Sequence, residues 1–584
     1  MRILLLAHSF NSLTQRLWAE LTDAGHELSL EFDVRDSVTI EAVRMFLPDL
    51  VIAPFLKRAI PEAVWREHRC LVVHPGIKGD RGPSALDWAV LNGEARWGVT
   101  ALQANAEMDA GDIWASAEFD MRPASKGSLY RNEATEAAVD CVRATLERIA
   151  GGAAPEPLDY SRADVRGTSR PLARQVDRAI DWEREETATV LRKIRSADGV
   201  PGVADTILDL PVHLYDAHPE QTLRGAPGDV IAQRHGAICR ATRDGAVWIT
   251  HLKASLDADR PFKLPAAMVL RERLAGVPEA PVSVTGDPDE RTWRDIRYEE
   301  DGPVGVLHFP FYNGAMSTAQ CERLTDAYRI ACTRPTKVIV LAGGTDFWSN
   351  GIHLNVIEAS EQAAEESWRN INAIDDFALA ILTTDTHLTV SAMQGNAGAG
   401  GVFLALAADR VVARSGVVLN PHYKGMGNLY GSEYWTYLLP RRVGADGARR
   451  ITEARLPLGT ENATAAGLID AHHGRTPAEF LARTIAEART LAGDGFDRRL
   501  TQKRERRAAD EAEKPLSTYR AEELERMRLN FFGFDPSYHV ARSNFVRKVP
   551  KSRTPVWLAR HRDRLGPRPG ARPVTARGEP SADT

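Results

Sequence analysis

Residues 391–413 read SAMQGNAGAGGVFLALAADRVVA, and this stretch decides how the carboxyl-terminal half of the chain folds. Residues 386–393 are apolar and β-branched enough for a buried strand. Residues 395–401 form a turn with almost no side chains, and residues 402–408 are apolar on every side, as in a buried helix. The free N–H groups at the start of such a helix suit a phosphate or an oxyanion. Close packing of a helix on a strand is the alternative interpretation of the glycines.

A second stretch of the same kind lies upstream. Residues 338–342 are an apolar strand, and residues 343–354 read GGTDFWSNGIHL. Paired in this order, the two motifs resemble those of the crotonase (enoyl-CoA hydratase/isomerase) superfamily. The resemblance implies that the backbone N–H groups of Ile352 and Gly400 hold the oxygen of an acyl-CoA thioester.

Length and composition limit the class of protein and the number of domains that the chain can form. A chain of 584 residues is expected to hold several domains, and 43% hydrophobic with 26% charged residues is ordinary for a soluble globular protein. The net charge of −5 gives no basis for binding nucleic acid or a membrane surface, and no run is apolar enough to span a bilayer. The five cysteines are scattered without metal-ligand spacing, so we expect no metal site and a reducing, cytoplasmic location.

Apolar segments alternate with amphipathic segments near the amino terminus. We predict strands at 2–8, 27–32, 50–53 and 70–73, with helices at 11–24 and 40–47. This alternation predicts a Rossmann-like parallel sheet with helices on both faces. Ligands of such sheets bind beyond the carboxyl ends of the strands.

A histidine motif follows the fourth predicted strand, where residues 74–89 read HPGIKGDRGPSALDWA. A single loop histidine is more often structural than catalytic, although this position suits acid–base work. The whole motif, together with MDAGDI at 108–113, resembles the N10-formyltetrahydrofolate-dependent formyltransferases and hydrolases. The resemblance implies that His74 and Asp109 orient and polarise a formyl group and move the proton of the amine.

One position departs from that family. An asparagine that supplies an oxyanion donor is expected two residues before the histidine, and Val72 stands there. A different donor or a different acceptor chemistry is therefore expected. Candidate replacement donors in the first loop are Ser9, Asn11 and Gln15. Weaker candidates for contacts with the pterin or glutamate of the folate are Ser84, Asp87 and Arg131, each of which is individually more typical of a solvated or capping residue.

The middle of the chain contains two predicted linkers, at 151–170 and 270–290, which are rich in Gly, Pro and Ala. Between them, IRSADGVPG at 194–202 resembles the carboxyl-terminal domain of the formyltransferases, and short strands at 211–215, 228–233, 237–241 and 245–252 predict a small β-barrel. We therefore expect an α/β multidomain chain. Its predicted parts are a Rossmann-like formyltransferase domain at 1–160, a β-barrel-like domain at 170–275, a crotonase-like α/β domain at 290–545 and a basic, partly disordered Pro/Arg-rich tail at 546–584. Residues 477–530 are predicted to be helical and to pack over the coenzyme A site.

The second half lacks the chemistry of ordinary hydratases. The two glutamates that add water to an enoyl-CoA correspond here to Phe403 and His422. The run from 423 to 434 is rich in tyrosine where an acyl pocket is expected, which implies a very small acyl group such as formyl. Tyr423 is expected to contact that substrate.

Loss of a formyl proton needs a titratable partner beside the oxyanion hole. Our candidates are Glu433, Tyr434 and His422. Glu433 and Tyr434 are predicted to begin a helix, so that one of them lines the pocket, and we favour Tyr434.

A formyltransferase-like half fused to a crotonase-like half resembles the HypX (HoxX) family of hydrogenase maturation proteins over nearly the whole chain. The resemblance implies synthesis of carbon monoxide for the active-site iron of nickel–iron hydrogenase, with that maturation machinery as a partner. Formyl would pass from N10-formyltetrahydrofolate to coenzyme A, and formyl-CoA would then be decarbonylated. Two alternatives stay open: a formyl hydrolase fused to an acyl-CoA hydratase/isomerase, and a non-catalytic assembly factor that binds folate and coenzyme A.

Overall fold

The first 150 residues form a mixed six-stranded sheet in the computed structural model, which describes residues 1–256, 259–286 and 290–562. The strands are β1 (Arg2–Ala7), β2 (Glu27–Phe32), β3 (Leu50–Phe55), β4 (Cys70–His74), β5 (Arg96–Gln103) and β6 (Ile113–Asp120). The helices are α1 (Ser12–Asp23), α2 (Asp36–Phe46), α3 (Glu62–Trp65), α4 (Ala85–Asn92), α5 (Lys126–Leu129), a π-helical turn (Tyr130–Ala134) and α6 (Thr135–Ala150).

The strand order is β2-β1-β3-β4-β5-β6, with β1 to β4 parallel. The four predicted strands and both predicted helices are confirmed. The predicted parallel arrangement is confirmed for these four strands, whereas β5 and β6, which the sequence analysis did not predict, are antiparallel to their neighbours. The burial of β6 alternates along the strand, which is typical of an antiparallel strand with one solvated face.

The second region is an antiparallel sheet covered by one amphipathic helix. Its elements are α7 (Gln175–Arg178), α8 (Thr187–Ala197), β7 (Val203–Ile207), β8 (Leu210–Glu220), β9 (Val230–Arg234), β10 (Ala237–Ala241), β11 (Ala246–Ala254), β12 (Leu264–Pro265), α9 (Ala266–Leu270) and a 3-10 turn (Arg271–Leu274). The order is β7-β8-β11-β10-β9, and β12 pairs with β11. The apolar face of α8, including Val190 and Ile194, packs with Val212 and Ile249 of the sheet in a separate core.

The third region contains two sheets. Its strands are β13 (Arg297–Asp301), β14 (Val304–His308), β15 (Val338–Leu341), β16 (Phe347–Ser349), β17 (Leu388–Met393), β18 (Asn396–Gly398), β19 (Arg410–Arg414), β20 (Leu419–Asn420) and β21 (Ala471–His473). The larger sheet has the order β13-β14-β15-β17-β19-β21 and is parallel apart from β13. A small parallel sheet, β16-β18-β20, carries both glycine motifs.

Helices cover both faces of the larger sheet. They are a 3-10 turn (Tyr312–Gly314), α10 (Thr318–Cys332), α11 (Leu354–Ala359), α12 (Ala363–Leu382), α13 (Gly400–Leu406), α14 (Trp435–Ala454), α15 (Thr460–Ala465), α16 (Pro477–Ala492), α17 (Phe496–Glu513), α18 (Leu516–Phe532), α19 (Ser537–Val546) and a 3-10 turn (Arg560–Arg562). The predicted helical stretch 477–530 divides between the two sides. Phe480 and Ala488 of α16 pack with the sheet's Val340 and Val390 in one core, whereas Met527 of α18 packs in the other core with Tyr434.

The predicted solvated tail is wrong for residues 554–562, which pack on the first sheet. The Leu30 N–H donates to the Leu558 carbonyl at 2.9 Å, and Leu558 joins the core of that sheet. The buried Glu31 carboxylate accepts the Thr554 hydroxyl and lies 3.0 Å from Nε2 of His561. Buried polar groups need such partners, which an extended tail lacks. Residues 563–584 lie outside the described residues.

The two halves of the chain contact each other through the loops that carry the predicted sites. Asn420 Nδ2 donates to Gln15 Oε1 at 2.9 Å, and the Asn420 carbonyl accepts the Ala399 N–H at 2.9 Å. Asp346, in the first glycine motif, accepts the Ser128 hydroxyl at 2.6 Å and the Asn132 amide at 2.9 Å. Within the described ranges, no helix is long and apolar enough to cross a membrane.

Candidate active sites

His74 lies at the carboxyl end of β4 between two carboxylates. Its Nε2 is 3.0 Å from Asp80 Oδ2, and its Nδ1 is 3.6 Å from Asp109 Oδ2. Asp80 is buried, and its Oδ1 accepts a hydrogen bond from Arg170 Nε at 3.1 Å, so a second contact also fixes the position of its carboxylate. An imidazole anchored through Nε2 keeps its Nδ1 edge toward Asp109, which suits transfer of a proton at that edge.

The loop after β4 needs glycine at position 76. A Cβ on Gly76 would lie 2.5 Å from His74 Nε2 and 2.6 Å from Asp80 Oδ2. Both distances are shorter than any ordinary contact, so a side chain here would displace the histidine. Asp109 adopts a left-handed conformation, φ 55°, and accepts the Gly82 N–H at 3.3 Å. The sequence prediction of a His74–Asp109 pair therefore agrees with their observed proximity.

Residues proposed as replacements for the missing asparagine have other partners. Val72 lies on the same face of β4 as His74, two residues earlier, and is half-buried. Asn11 caps α1 by accepting the Thr14 N–H at 3.0 Å and donates to the Tyr130 hydroxyl at 3.2 Å. Ser9 accepts the Thr14 hydroxyl through its carbonyl at 3.4 Å, and Gln15 faces Asn420. Among the described residues, none of these three bonds to His74.

The weaker folate candidates form contacts between separate segments of the chain. Ser84 is buried and accepts the Ala173 N–H at 3.1 Å, and Asp87 accepts Lys126 Nζ at 2.8 Å and the Arg178 guanidinium. Neither is a solvated residue, since both join the first region to the segment that leads into the second. Arg131 lies 3.4 Å from Asp346 and 4.9 Å above the ring of Phe347, at the contact between the two halves.

The two predicted oxyanion donors lie on adjoining loops. A Cβ on Gly351 would lie 3.5 Å from the Gly400 nitrogen, so the backbone before Ile352 runs beside the start of α13. The Met316 N–H donates to the Gly351 carbonyl at 2.9 Å and fixes this loop. Among the hydrogen bonds of the described residues, neither the Ile352 N–H nor the Gly400 N–H is used. This arrangement gives two free donors for a carbonyl oxygen.

Glu433 lies directly against Gly400. A Cβ on Gly400 would lie 1.9 Å from Glu433 Oε1, so glycine is required for the carboxylate to reach this point. Glu433 Oε2 accepts the Tyr423 hydroxyl at 2.6 Å, and the Tyr423 ring stacks on Phe403 at 5.1 Å. Phe403, which the family resemblance places at the first hydratase glutamate, is fully buried. The Glu433 carboxylate therefore faces Gly400, one of the two predicted oxyanion donors, from the turn before α14.

The environment of Glu433 favours its protonated form. Burial raises the pKa of Glu433 to about 8, and the nearby charge of Asp375 adds to this effect. Burial also raises the pKa of Asp375 to about 6. Burial and the adjacent Glu433 charge raise the pKa of the Tyr423 phenol, so Tyr423 remains a hydrogen-bond donor to the carboxylate.

Tyr434 and His422 are the other two predicted proton-transfer residues, and their surroundings differ from those of Glu433. Glu433 and Tyr434 have φ values of 60° and 59°, so the prediction that they begin a helix is wrong, and α14 starts at Trp435. The Tyr434 phenol hydrogen-bonds with the Arg520 guanidinium. His422 has a buried Nδ1 without a partner in the described chain, and burial lowers its pKa to about 4. The structure thus brings the Glu433 carboxylate to Gly400 and the Tyr423 hydroxyl to that carboxylate, while a role for Tyr434, which the sequence analysis preferred, stays a prediction.

Sequence reasoning missed the carboxylates that surround the two sites. Asp80 stands inside the quoted histidine motif, six residues after His74, and the Gly-Asp pair there was the available signal. Asp375 and Glu523 lie on helices far along the chain from Glu433, and no local motif marks them.

Comparison with known proteins matches each region to a family. The Formyl transferase family matches residues 25–143, the Formyl transferase C-terminal domain matches 173–261, and Enoyl-CoA hydratase/isomerase matches 306–528. A methionyl-tRNA formyltransferase of Trichlorobacter lovleyi is 26% identical over 226 residues, 38% of this chain and 70% of that protein.

Two relatives match nearly the entire chain. The hydrogenase maturation factor HoxX of Bradyrhizobium diazoefficiens is 58% identical over 577 residues, which cover 98% of this chain and 99% of the relative. The crystal structure of HypX from Aquifex aeolicus in complex with tetrahydrofolic acid is 50% identical, with a TM-score of 0.93 over 96% of this chain and 99% of that one. These matches confirm the predicted fold class of a Rossmann-like formyltransferase part joined to a crotonase-like part. The chain therefore belongs to the HypX/HoxX family of hydrogenase maturation factors.

Proposed function

We propose that this protein makes carbon monoxide for the maturation of nickel–iron hydrogenase, from N10-formyltetrahydrofolate and by way of formyl-CoA. The observation that carries the proposal is the Glu433 carboxylate against Gly400, in a crotonase-like site that has Phe403 and His422 in place of the hydratase glutamates. A carboxylate beside an oxyanion hole suits removal of a proton from a small acyl group.

The first reaction is formyl transfer at His74. The sulfur of coenzyme A attacks the formyl carbon, a C–S bond forms, and the C–N bond to the folate breaks. The thiol proton leaves and a proton reaches N10, so a residue that accepts and returns one proton is sufficient. His74, 3.6 Å from Asp109 at its Nδ1, is placed for that transfer. A thiol acceptor also accounts for the absence of the amine-directed asparagine at Val72.

The second reaction is decarbonylation of formyl-CoA beside Gly400. The N–H groups of Ile352 and Gly400 hold the formyl oxygen, on which negative charge develops as the C–H proton leaves. Ionised Glu433 takes that proton, the C–S bond breaks with its electron pair on sulfur, and the proton passes from Glu433 to the thiolate. Carbon monoxide and coenzyme A are the products, and all atoms are accounted for. Tyr423, 2.6 Å from Oε2, orients the carboxylate throughout.

The contacts between the halves support two successive reactions in one molecule. The loop that begins α1 reaches Asn420, and Asn420 in turn bonds to Ala399, the residue before Gly400. Free thiols at all five cysteines fit a reducing compartment, so we place the reactions in the cytoplasm. The partners in this proposal are the folate, coenzyme A and the hydrogenase maturation machinery.

The experiment is to incubate the protein with N10-formyltetrahydrofolate and coenzyme A and to measure carbon monoxide in the headspace. Carbon monoxide that depends on both substrates, and that also forms from supplied formyl-CoA, is the expected result. Release of formate without coenzyme A, combined with hydration of crotonyl-CoA, would instead identify a hydrolase fused to a hydratase. Binding of both substrates without turnover would identify an assembly factor.

A further inference from the structure

Glu433 is carried on a turn that two other buried carboxylates hold in place. Glu433 and Tyr434 both adopt left-handed backbone conformations, which residues with side chains rarely adopt. Backbone strain of this kind persists only where surrounding contacts impose it. The contacts that do so come from α12 and α18.

Asp375 of α12 holds the first part of the turn. Its Oδ1 accepts the Glu433 N–H at 2.8 Å, and its Oδ2 accepts the Ser432 hydroxyl at 2.7 Å. Asp375 is completely buried. The carboxylate therefore fixes the backbone of the very residue whose side chain reaches Gly400.

Glu523 of α18 holds the second part. Its Oε2 accepts the Tyr434 N–H at 3.0 Å and lies 3.3 Å from the Ser432 hydroxyl, and its Oε1 accepts the Thr436 N–H at 2.8 Å. Glu523 is also completely buried. Because each carboxylate accepts hydrogen bonds from several donors of the same turn, the two carboxylates together fix the backbone conformation of that turn.

The same carboxylates act on the charge of Glu433. The charged or titratable groups that face Glu433 are Asp375 on α12, Glu523 on α18, Tyr423 in the preceding loop and Cys321 on α10. A cation also approaches these carboxylates, since Arg520 Nε lies 3.8 Å from Asp375 Oδ2. Three buried carboxylates beside one guanidinium do not all ionise at neutral pH, because like charges at this range in a buried site repel strongly.

We propose that Asp375 and Glu523 are positioning residues for decarbonylation, which fix the backbone of the turn so that the Glu433 carboxylate lies against Gly400. Ser432 joins them through its hydroxyl. This inference rests on the proposed function, because it assigns to Glu433 the proton that leaves the formyl group. It adds two residues, on two helices, that touch no reacting atom.

The test compares Asp375→Asn and Glu523→Gln with Glu525→Gln, which removes the same charge from an exposed position of α18. Carbon monoxide release from formyl-CoA is measured against pH, with kcat and KM separated. We expect both positioning variants to lose kcat by about 100-fold through misplacement of the carboxylate, with a smaller change in KM. We also expect the midpoint of the pH profile to move to lower pH by about one unit, because a like charge near Glu433 is gone. Glu525→Gln is expected to match the wild type.

An infrared measurement keeps the inference testable without turnover. The carbonyl stretch of the protonated Glu433 carboxyl is identified as the band that Glu433→Gln removes, and its titration midpoint is followed in each variant. If the wild type makes no carbon monoxide but this midpoint falls in Asp375→Asn, the proposed function fails and the electrostatic role stands. If the midpoint and the pH profile of both positioning variants equal those of the wild type, the inference is wrong. Should Asp375→Asn fail to fold, Ser432→Ala serves as the second variant, and an unchanged midpoint together with an unchanged kcat would also overturn the inference.

Discussion

Replacement of Glu433 by glutamine is expected to separate the two proposed reactions of this protein. Glutamine keeps the shape of the side chain and an acceptor for the Tyr423 hydroxyl, which now bonds to Oε2 at 2.6 Å. It removes the base that lies against Gly400. Loss of a general acid–base group costs roughly 100- to 10,000-fold. At about 1.36 kcal/mol per tenfold, this is about 2.7–5.4 kcal/mol in the barrier.

The pH dependence follows from the position of Glu433. Burial raises the pKa of Glu433 to about 8, so its basic, ionised form is scarce in acid and increases as the pH rises toward that value. We therefore expect the wild-type rate of decarbonylation to rise with pH and to level off above about 8. The residual rate of Glu433→Gln is expected to lack this rise.

The assay supplies formyl-CoA directly and follows carbon monoxide by its binding to reduced haemoglobin. Deformylation of N10-formyltetrahydrofolate in the presence of coenzyme A is measured in parallel and is expected to stay at the wild-type rate. Glu525→Gln, on the exposed side of α18, is the matched control for the loss of charge. Release of carbon monoxide by a folded Glu433→Gln protein at the native rate would refute the assignment, and His422 would become the next candidate.

The remaining predictions concern both sites. His74→Ala is expected to abolish deformylation of the folate while supplied formyl-CoA still yields carbon monoxide. Asp80→Asn is expected to slow the same deformylation, because Asp80 Oδ2 anchors the His74 imidazole at 3.0 Å. Consumption of formyl-folate at the wild-type rate by either variant contradicts the assignment of formyl transfer to His74. Gly400→Ala keeps the backbone N–H but is expected to abolish carbon monoxide release, since the new Cβ would lie 1.9 Å from the Glu433 carboxylate and would displace it. Gly493→Ala, with contacts of 3.4 Å or more, serves as the control. An active Gly400→Ala enzyme would show that decarbonylation does not need the Glu433 carboxylate at this position. Tyr434→Phe is expected to retain carbon monoxide release within about threefold, because its phenol faces Arg520, and a loss on the scale of general acid–base catalysis would restore it as the proton donor.

Local sequence patterns predicted much of the fold, because they reflect steric and hydrogen-bonding constraints between residues that are close in sequence. The glycine runs mark places where backbone meets backbone, and a Cβ on Gly400 or Gly76 would strike the side chain of a site residue. The alternation of strands and helices likewise marked the first sheet, and only its antiparallel edge was missed.

Tertiary contacts decided what the local pattern did not. The sequence around Glu433 favours a helix start, but Asp375 lies 58 residues upstream and binds the Glu433 N–H, while Glu523 lies 89 residues beyond Tyr434 and binds its N–H. These partners select a left-handed turn over a helix. The choice between Glu433 and Tyr434 therefore depended on contacts that no single stretch contains. Likewise, nothing in the sequence of the predicted tail indicates that Leu558 completes the core of the first sheet.

The replacement at Phe403 fits the proposed loss of a proton at the crotonase-like site better than it fits addition of water. A hydratase holds a water molecule between two carboxylates, whereas Phe403 here is buried and stacks on Tyr423 at 5.1 Å. His422, at the second position, has a pKa lowered to about 4 by burial and so is neutral near pH 7. The aromatic pair removes the polar groups that would hold the water, and the base reaches the thioester from the turn before α14 instead. A buried carboxyl whose pKa lies near 8 is a stronger base, once ionised, than a solvated one, and this strength is what a weakly acidic formyl C–H bond requires. In the proposed reaction, the burial that raises the pKa of Glu433 thus also supplies the basicity that decarbonylation requires.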